Sequence, residues 1–249
     1  MTIIIASYIM LLGLVLGSFF NVVGLRVPVG ESLVYPPSRC PKCNTRLGAR
    51  DLIPVFSYLL SGGKCRHCGA KVSPVYPLGE AATGLLFLWM YLELGLTLKG
   101  IAGLLLVSLS VIITVADLKY MLIPNKVLLF FLPLFLVLVP WMGDGVLWDH
   151  LLGALSGGGI LLLMALFGGM GMGDVKLFAL LGWVVGWQGV ILAFLIACAL
   201  GAAVGGCLQL VGVIGKKQHV PFGPFLVTGT LLAFVYGSDI IGAYLSFIG

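Results

Sequence analysis

The chain has 249 residues, 60% of them hydrophobic and only 9% charged, with a mean hydropathy of +1.16 and a formal net charge of +5. A soluble domain carries about a quarter charged residues, so a soluble enzyme is excluded, and the positive balance reflects membrane topology and lipid contact, not nucleic-acid binding. The composition predicts an all-α polytopic membrane protein in which each span takes roughly 20 apolar residues.

The first uncharged stretch, 1–25, is read as a retained transmembrane helix. It is too long for a signal-peptide core, has no basic n-region and shows no clear small-residue cleavage site. The long polar segment 26–77 follows. Further uncharged stretches occupy 81–92 (extendable back past Glu80), 100–116, 127–143, 151–173, 177–215 and 220–238. The 39 residues of 177–215 suffice for two spans with a break near Gly186-Trp187-Gln188-Gly189, which gives eight spans. That count places 13 of the 14 basic residues on one side and leaves only Lys99 on the other. A single span over 177–215 would move Lys216 and Lys217 across. By the excess of cations on cytoplasmic loops, both termini lie outside and the loop 26–77 lies in the cytoplasm. The expected organisation is a first helix at 1–25, a cytoplasmic cysteine loop at 26–77 and a seven-helix membrane domain at 78–249 that carries the chemistry.

The polar segment contains Cys40-Pro41-Lys42-Cys43 and Cys65-Arg66-His67-Cys68. Two C-x-x-C pairs at this separation match a four-thiolate zinc ribbon. One ion shared by both pairs supplies folding energy that so short a segment cannot draw from a core. A reducing cytoplasmic side favours metal over disulfide. With Cys40, Cys43, Cys65 and Cys68 filling all four positions, the expected zinc is structural, one per chain, and His67 stays outside it. Cys198 and Cys207 fall in an apolar span and are read as small packing residues.

Two aspartates end apolar runs on the same side. Asp117 closes the run that ends at Ala116, and Asp174 follows Gly171-Met172-Gly173 at the start of another. An ionisable residue at membrane depth is costly and marks a functional site by default. Two carboxylates that meet form an acid/base pair, because like charges in contact cannot both ionise. Asp174 at a helix N-terminus suits the helix dipole, whereas Asp117 at a C-terminus opposes it, which turns Asp117 from a cap into a catalytic candidate. Glu80 is the next acidic candidate on that side. His67, His150 and His219 have no nucleophile motif beside them, and no G-x-G-x-x-G or phosphate-binding loop follows a strand pattern.

Over nearly its whole length the chain resembles the prepilin peptidases, or type IV leader peptidases. Gly17-Ser18-Phe19-Phe20-Asn21-Val22-Val23-Gly24-Leu25-Arg26-Val27-Pro28 looks like the family's G-S-F-x-N-V-x-x-x-R-x-P opening, and Tyr76-Pro77-Leu78-Gly79-Glu80 like its Y-P-L-x-E segment. Val75 and Gly79 depart from the usual Arg and Val. The cysteine loop, Asp117 seven residues before Pro124, Gly171-Met172-Gly173-Asp174 and Pro221-Phe222-Gly223-Pro224 complete the ordered set. The resemblance implies an aspartic endopeptidase of the bacterial inner membrane that cleaves the basic leader of prepilins and pseudopilins after a glycine, on the cytoplasmic side, with Asp117 and Asp174. It further implies N-methylation of the new terminus with S-adenosylmethionine, with Gly63 and Glu80 as residues associated with that step. The competing readings are another G-x-G-D intramembrane aspartic protease and a zinc-dependent membrane scaffold or transporter whose aspartates bind ions.

Overall fold

The computed structural model describes residues 2–143, 147–212 and 220–248. Its α-helices are α1 (Thr2–Arg26), α2 (Phe56–Leu60), α3 (Val75–Leu94), α4 (Leu98–Tyr120), α5 (Asn125–Leu138), α6 (Leu147–Leu166), α7 (Met172–Leu210) and α8 (Gly223–Ile248). Among the described residues there is no β-strand, only two isolated bridges in the polar loop, Arg39 with Arg46 and Lys64 with Lys71. Helices α1, α4, α6, α7 and α8 are each long and apolar enough to cross a membrane. The protein is therefore a multi-pass, all-α membrane protein. Helix α5 is apolar but shorter, and α3 has the length of a span while carrying Glu80 and Glu93.

Helix α7 is not a single rod. Gly186 adopts φ 74° and ψ 177°, a backbone region essentially confined to glycine. The Phe178 and Phe194 rings lie 6.1 Å apart, whereas sixteen residues of straight helix would separate them by about 24 Å. The chain reverses at Gly186, and 172–185 and 187–210 run side by side. With both halves of α7 counted and α2 set aside, the described residues hold eight α-helical segments, α5 the 14-residue Asn125–Leu138 among them, and the reversal falls where the sequence predicts a break. Lys216 and Lys217, on which part of the charge argument rests, lie outside the described residues.

Glycine makes these helices fit. A Cβ on Gly17 of α1 would lie 2.8 Å from Thr83 Oγ1 and 2.9 Å from Glu80 Cα on α3. A Cβ on Gly153 of α6 would run into the Gly182 carbonyl and the Gly186 backbone. Small residues at such seams let backbones approach where lipid provides no hydrophobic drive. Helix α4 is the hub: it packs against α1, α3, α5 and α8, and its face from Leu106 to Asp117 is largely buried. Its buried hydroxyls return their protons to the helix, Ser108 to Leu104 O at 2.8 Å and Ser110 to Leu106 O at 2.7 Å, so no donor is stranded in apolar surroundings. Helix α1 ends at Arg26 and packs on α3 and α4, which makes it part of the bundle. Helix α3 begins at Val75, three residues ahead of the expected 78. Cys198 and Cys207 are exposed on the second half of α7 and are not interior packing residues.

Gly153→Val should fail to accumulate, or should melt several degrees lower in detergent, because backbone on the facing helix cannot move aside as a rotamer does; overpacking of this kind costs about 1–3 kcal/mol. Gly159→Val, where the added atoms meet nothing within 4 Å, should melt like the parent.

Candidate active site and metal centre

Asp117 lies in the last turn of α4 and is buried, 5% exposed. Its Oδ2 accepts the Gly223 N–H at 2.9 Å, so the first residue of α8 reaches a carboxylate 106 positions earlier in the chain. The C-terminal end of α4 disfavours negative charge, and the N-terminal end of α8 offsets this. Gly223 has to be small, since a Cβ there would lie 2.7 Å from Oδ2. Met121, in the left-handed region at φ 50°, ends α4 by donating its N–H to Asp117 O at 2.8 Å.

Asp174 is the third residue of α7, after Gly171 at the N-cap. Its backbone N–H donates to Gly171 O at 3.1 Å, which sets the first turn of α7 and leaves the carboxylate on the cavity wall. Asp117 and Asp174 line the same cavity of about 210 Å³, together with Asn125, Lys176, Met121 and Ile123. At about 30 Å³ per water, that volume holds several. Lys176 Nζ donates to Asn125 Oδ1 at 3.2 Å and ties the starts of α5 and α7 at the cavity rim. A Cβ on Gly173 would lie 3.0 Å from Ile123 Cβ, so the glycine brings α7 against the α4–α5 turn. A carboxylate pair beside a cavity of this size can activate water against a polarised carbonyl.

In the polar loop the four thiols converge. All four Sγ atoms lie within 4.8 Å of one another, with Cys40 to Cys68 at 3.8 Å and Cys43 to Cys65 at 4.0 Å. A tetrahedral site with Zn–S bonds near 2.3 Å has edges of about 3.8 Å, so the donors fit zinc. The two halves are built alike. Cys40 N–H donates to Thr45 O and Asn44 N–H to Cys40 O, while Cys65 N–H donates to Ala70 O and Gly69 N–H to Cys65 O. Asn44 at φ 56° and Gly69 at φ 69° take the left-handed turn at equivalent positions, the residue types that tolerate it best. His67 is exposed and outside the thiol group. Hydrogen bonds from the Thr45 side chain and backbone hold the Cys43 thiol down to about 6, and the backbone of Cys68 and His67 lowers Cys65.

Gly63 and Glu80 are not brought together. Gly63, at φ 68°, borders a groove of about 530 Å³ with Tyr58, Lys64, Lys71 and Ser73, and a Cβ on it would lie 2.9 Å from the Tyr58 hydroxyl. Glu80 is buried on α3, where its Oε2 accepts the Val55 N–H at 2.8 Å. Sequence reasoning missed the roles of Gly223, Asn125 and Asn21. The Pro221-Phe222-Gly223-Pro224 motif is the signal for the first and the opening motif that contains Asn21 for the third, whereas Asn125 carries none.

These features define a class: a multi-pass helical membrane protein with a carboxylate pair at one end of its bundle and a four-thiol loop beside α1 and α3. The description "Bacterial Peptidase A24 N-terminal domain" matches residues 11–94, and "Type IV leader peptidase family" matches residues 104–206. The protein named prepilin leader peptidase/N-methyltransferase in Bacillus subtilis is 38% identical over 96% of this chain and 97% of its own length. Proteins of the same name in Pseudomonas aeruginosa and Stutzerimonas stutzeri are 33% and 31% identical, each over 96% of this chain and 93% of their own length. The chain belongs to the type IV leader peptidase family. No solved structure gives a significant match.

Two outcomes follow from this geometry. Gly223→Ala should retain fold and zinc yet lower the turnover of a prepilin by about 100-fold, the usual penalty for a displacement near 1 Å at reacting groups, with little change in KM; an unchanged kcat would remove the amide from the site. Because zinc displaces protons from the thiols, a chelator should strip metal from the intact protein faster at pH 5.5 than at pH 7.5, read as zinc released to an indicator dye.

Proposed function

We propose that this chain cleaves the leader from type IV prepilins and pseudopilins with Asp117 and Asp174 as its catalytic pair, and N-methylates the new terminus. The observation that carries the reading is the shared cavity: the two aspartates, 57 positions apart in sequence, line one space of about 210 Å³ at the end of the bundle. In the reaction, the ionised carboxylate takes a proton from water as its oxygen attacks the scissile carbonyl carbon. The protonated carboxyl hydrogen-bonds to the carbonyl oxygen and stabilises the charge that develops there. The C–N bond then breaks as the leaving amine receives a proton from the pair. The titration belongs to the two together.

Lys119, Lys126 and Lys176 lie at the same end of the bundle as the aspartates and the basic loop, which supports a cytoplasmic placement of the site under the positive-inside rule. The four cysteines hold one structural zinc. S-adenosylmethionine, when bound, supplies an electrophilic methyl group for the new terminal amine. The groove beside Gly63 suits such a donor: its volume is in the range of small-molecule sites, Lys64 and Lys71 offer cations to a carboxylate, and Tyr58 offers an aromatic face. Glu80 is spent on the Val55 amide and acts here as an anchor, not as a cofactor ligand.

Asp117→Asn and Asp174→Asn should each abolish cleavage of a prepilin in detergent while the protein still accumulates and keeps its zinc; normal turnover by either would overturn the pair. Gly63→Val, which strains a left-handed position and pushes on Tyr58, should reduce methylation at least tenfold more than cleavage. Mass spectrometry of the product would then show a leaderless, unmethylated terminus, and equal loss of both activities would place Gly63 in the shared substrate site.

A further inference from the structure

The polar loop carries an apolar surface that the bundle does not cover. Helix α2 (Phe56–Leu60) starts after a turn at Val55, whose φ of 61° and ψ of −51° are not helical. Leu52 stands ahead of that turn, and Phe56, Leu59 and Leu60 share one face of α2. They are 43%, 59%, 67% and 79% exposed, and α2 buries none of its residues. A cluster of large apolar side chains at this exposure marks an interaction surface. The sequence around it is cationic, with Arg46 and Arg50 before it and Lys64 and Arg66 after it, against Asp51 alone within the same stretch.

Two contacts fix the height of this face relative to the helices. Val55 donates its N–H to Glu80 Oε2 at 2.8 Å, and does so from φ 61°, a conformation that a β-branched residue adopts only under constraint. Glu80 lies five residues into α3, about 8 Å from its start at 1.5 Å per residue. It is also level with Gly17, whose Cβ would be 2.9 Å from Glu80 Cα, and Gly17 lies about 13 Å inside the end of α1 at Arg26. The headgroup layer beyond the hydrocarbon is only about 5–7 Å thick on each side. With the ends of α1 and α3 taken as the outer edge of the headgroup layer, the Val55–Glu80 contact falls at or below the boundary between headgroups and acyl chains.

We propose that 52–60 is an interfacial foot of the cysteine loop. Leu52, Phe56, Leu59 and Leu60 insert into the leaflet, and the flanking cations meet anionic phospholipid headgroups. The pairing of Leu and Phe with adjacent Arg and Lys suits that surface. A basic leader, by contrast, is repelled by the same cations. The foot rests on the membrane placement of α1 and α3 and not on the carboxylate chemistry, so loss of cleavage in a mutant does not bear on it.

The test uses the full chain in lipid nanodiscs with the photocrosslinker p-benzoylphenylalanine in place of Leu60, of Leu129 on α5 as a lipid-facing reference (69% exposed), or of Lys42 on the first knuckle as an aqueous one. Intact-protein mass spectrometry should show phospholipid adducts at 60 as at 129 and none at 42, in variants that still bind zinc. Changing the discs from phosphatidylglycerol to phosphatidylcholine should lower the adduct at 60 by about fivefold or more, the partition effect of a single juxtamembrane cation, and leave that at 129 unchanged. A yield at 60 no higher than at 42, or adducts to added prepilin or to a second copy of the chain in place of lipid, would overturn the proposal. Equal yields in both lipids would overturn its electrostatic half.

Discussion

A carboxylate buried at the end of a span is tolerable only when something holds it, and for Asp117 that is the Gly223 amide. The bond offsets two unfavourable facts, burial of the side chain and its position at the negative end of α4. It also fixes where α8 starts, because the chain has to bring a glycine with no Cβ to within hydrogen-bond reach of α4. Helix α8 then packs along α7, and α7 carries Asp174 in its first turn. The cavity itself lies between the end of α4, the turn into α5 and the start of α7, with α8 behind Asp117.

The motifs shared with the family divide into chemistry and carpentry once their contacts are known. Gly17, Asn21 and Arg26 take no part in the carboxylate cavity. Gly17 lets α1 touch α3, Asn21 Nδ2 donates to Tyr76 O at 2.9 Å, and Arg26 Nη1 donates to Ser32 O at 3.0 Å and Pro36 O at 2.9 Å. The opening motif is therefore the joint between α1, α3 and the loop inserted between them. Asn21 Oδ1 is buried without a partner among the described residues, an unusual cost at the same junction where Val55 is held at positive φ. Strain and an unmet acceptor lie together where the loop enters the bundle.

Much of this was legible in the sequence because lipid simplifies the code. Hydropathy and charge gave the helices, and the Gly186 region stood out as the one place where a 39-residue run had to turn back. The thiols were legible because their spacing is set by a metal's geometry and not by the rest of the fold. What could not be read are contacts between distant segments. Nothing in Asp117's own neighbourhood announces an amide 106 residues later, and Asn125 gives no sign that it will hold Lys176. Helix α1 runs to Arg26 and α3 starts at Val75, within the few residues by which helix ends vary around the expected 25 and 78. Cys198 and Cys207, read as small packing residues, are exposed, because hydropathy does not separate a lipid-facing side of a helix from a protein-facing one.

Glu80 shows how a buried charge can be structural without being idle. Placed on α3 at the level of Gly17, it has to be satisfied from within, and the only backbone donor the structure records for it is Val55 in the cysteine loop. That bond adds a tie between the loop and α3 to the two covalent connections. A zinc site by itself orders only the knuckles that bind it. The Glu80–Val55 bond ties the loop to the bundle at a point eight residues before Gly63, which borders the groove. A single buried acid anchors the loop in this way, and in that role it need not touch any cofactor.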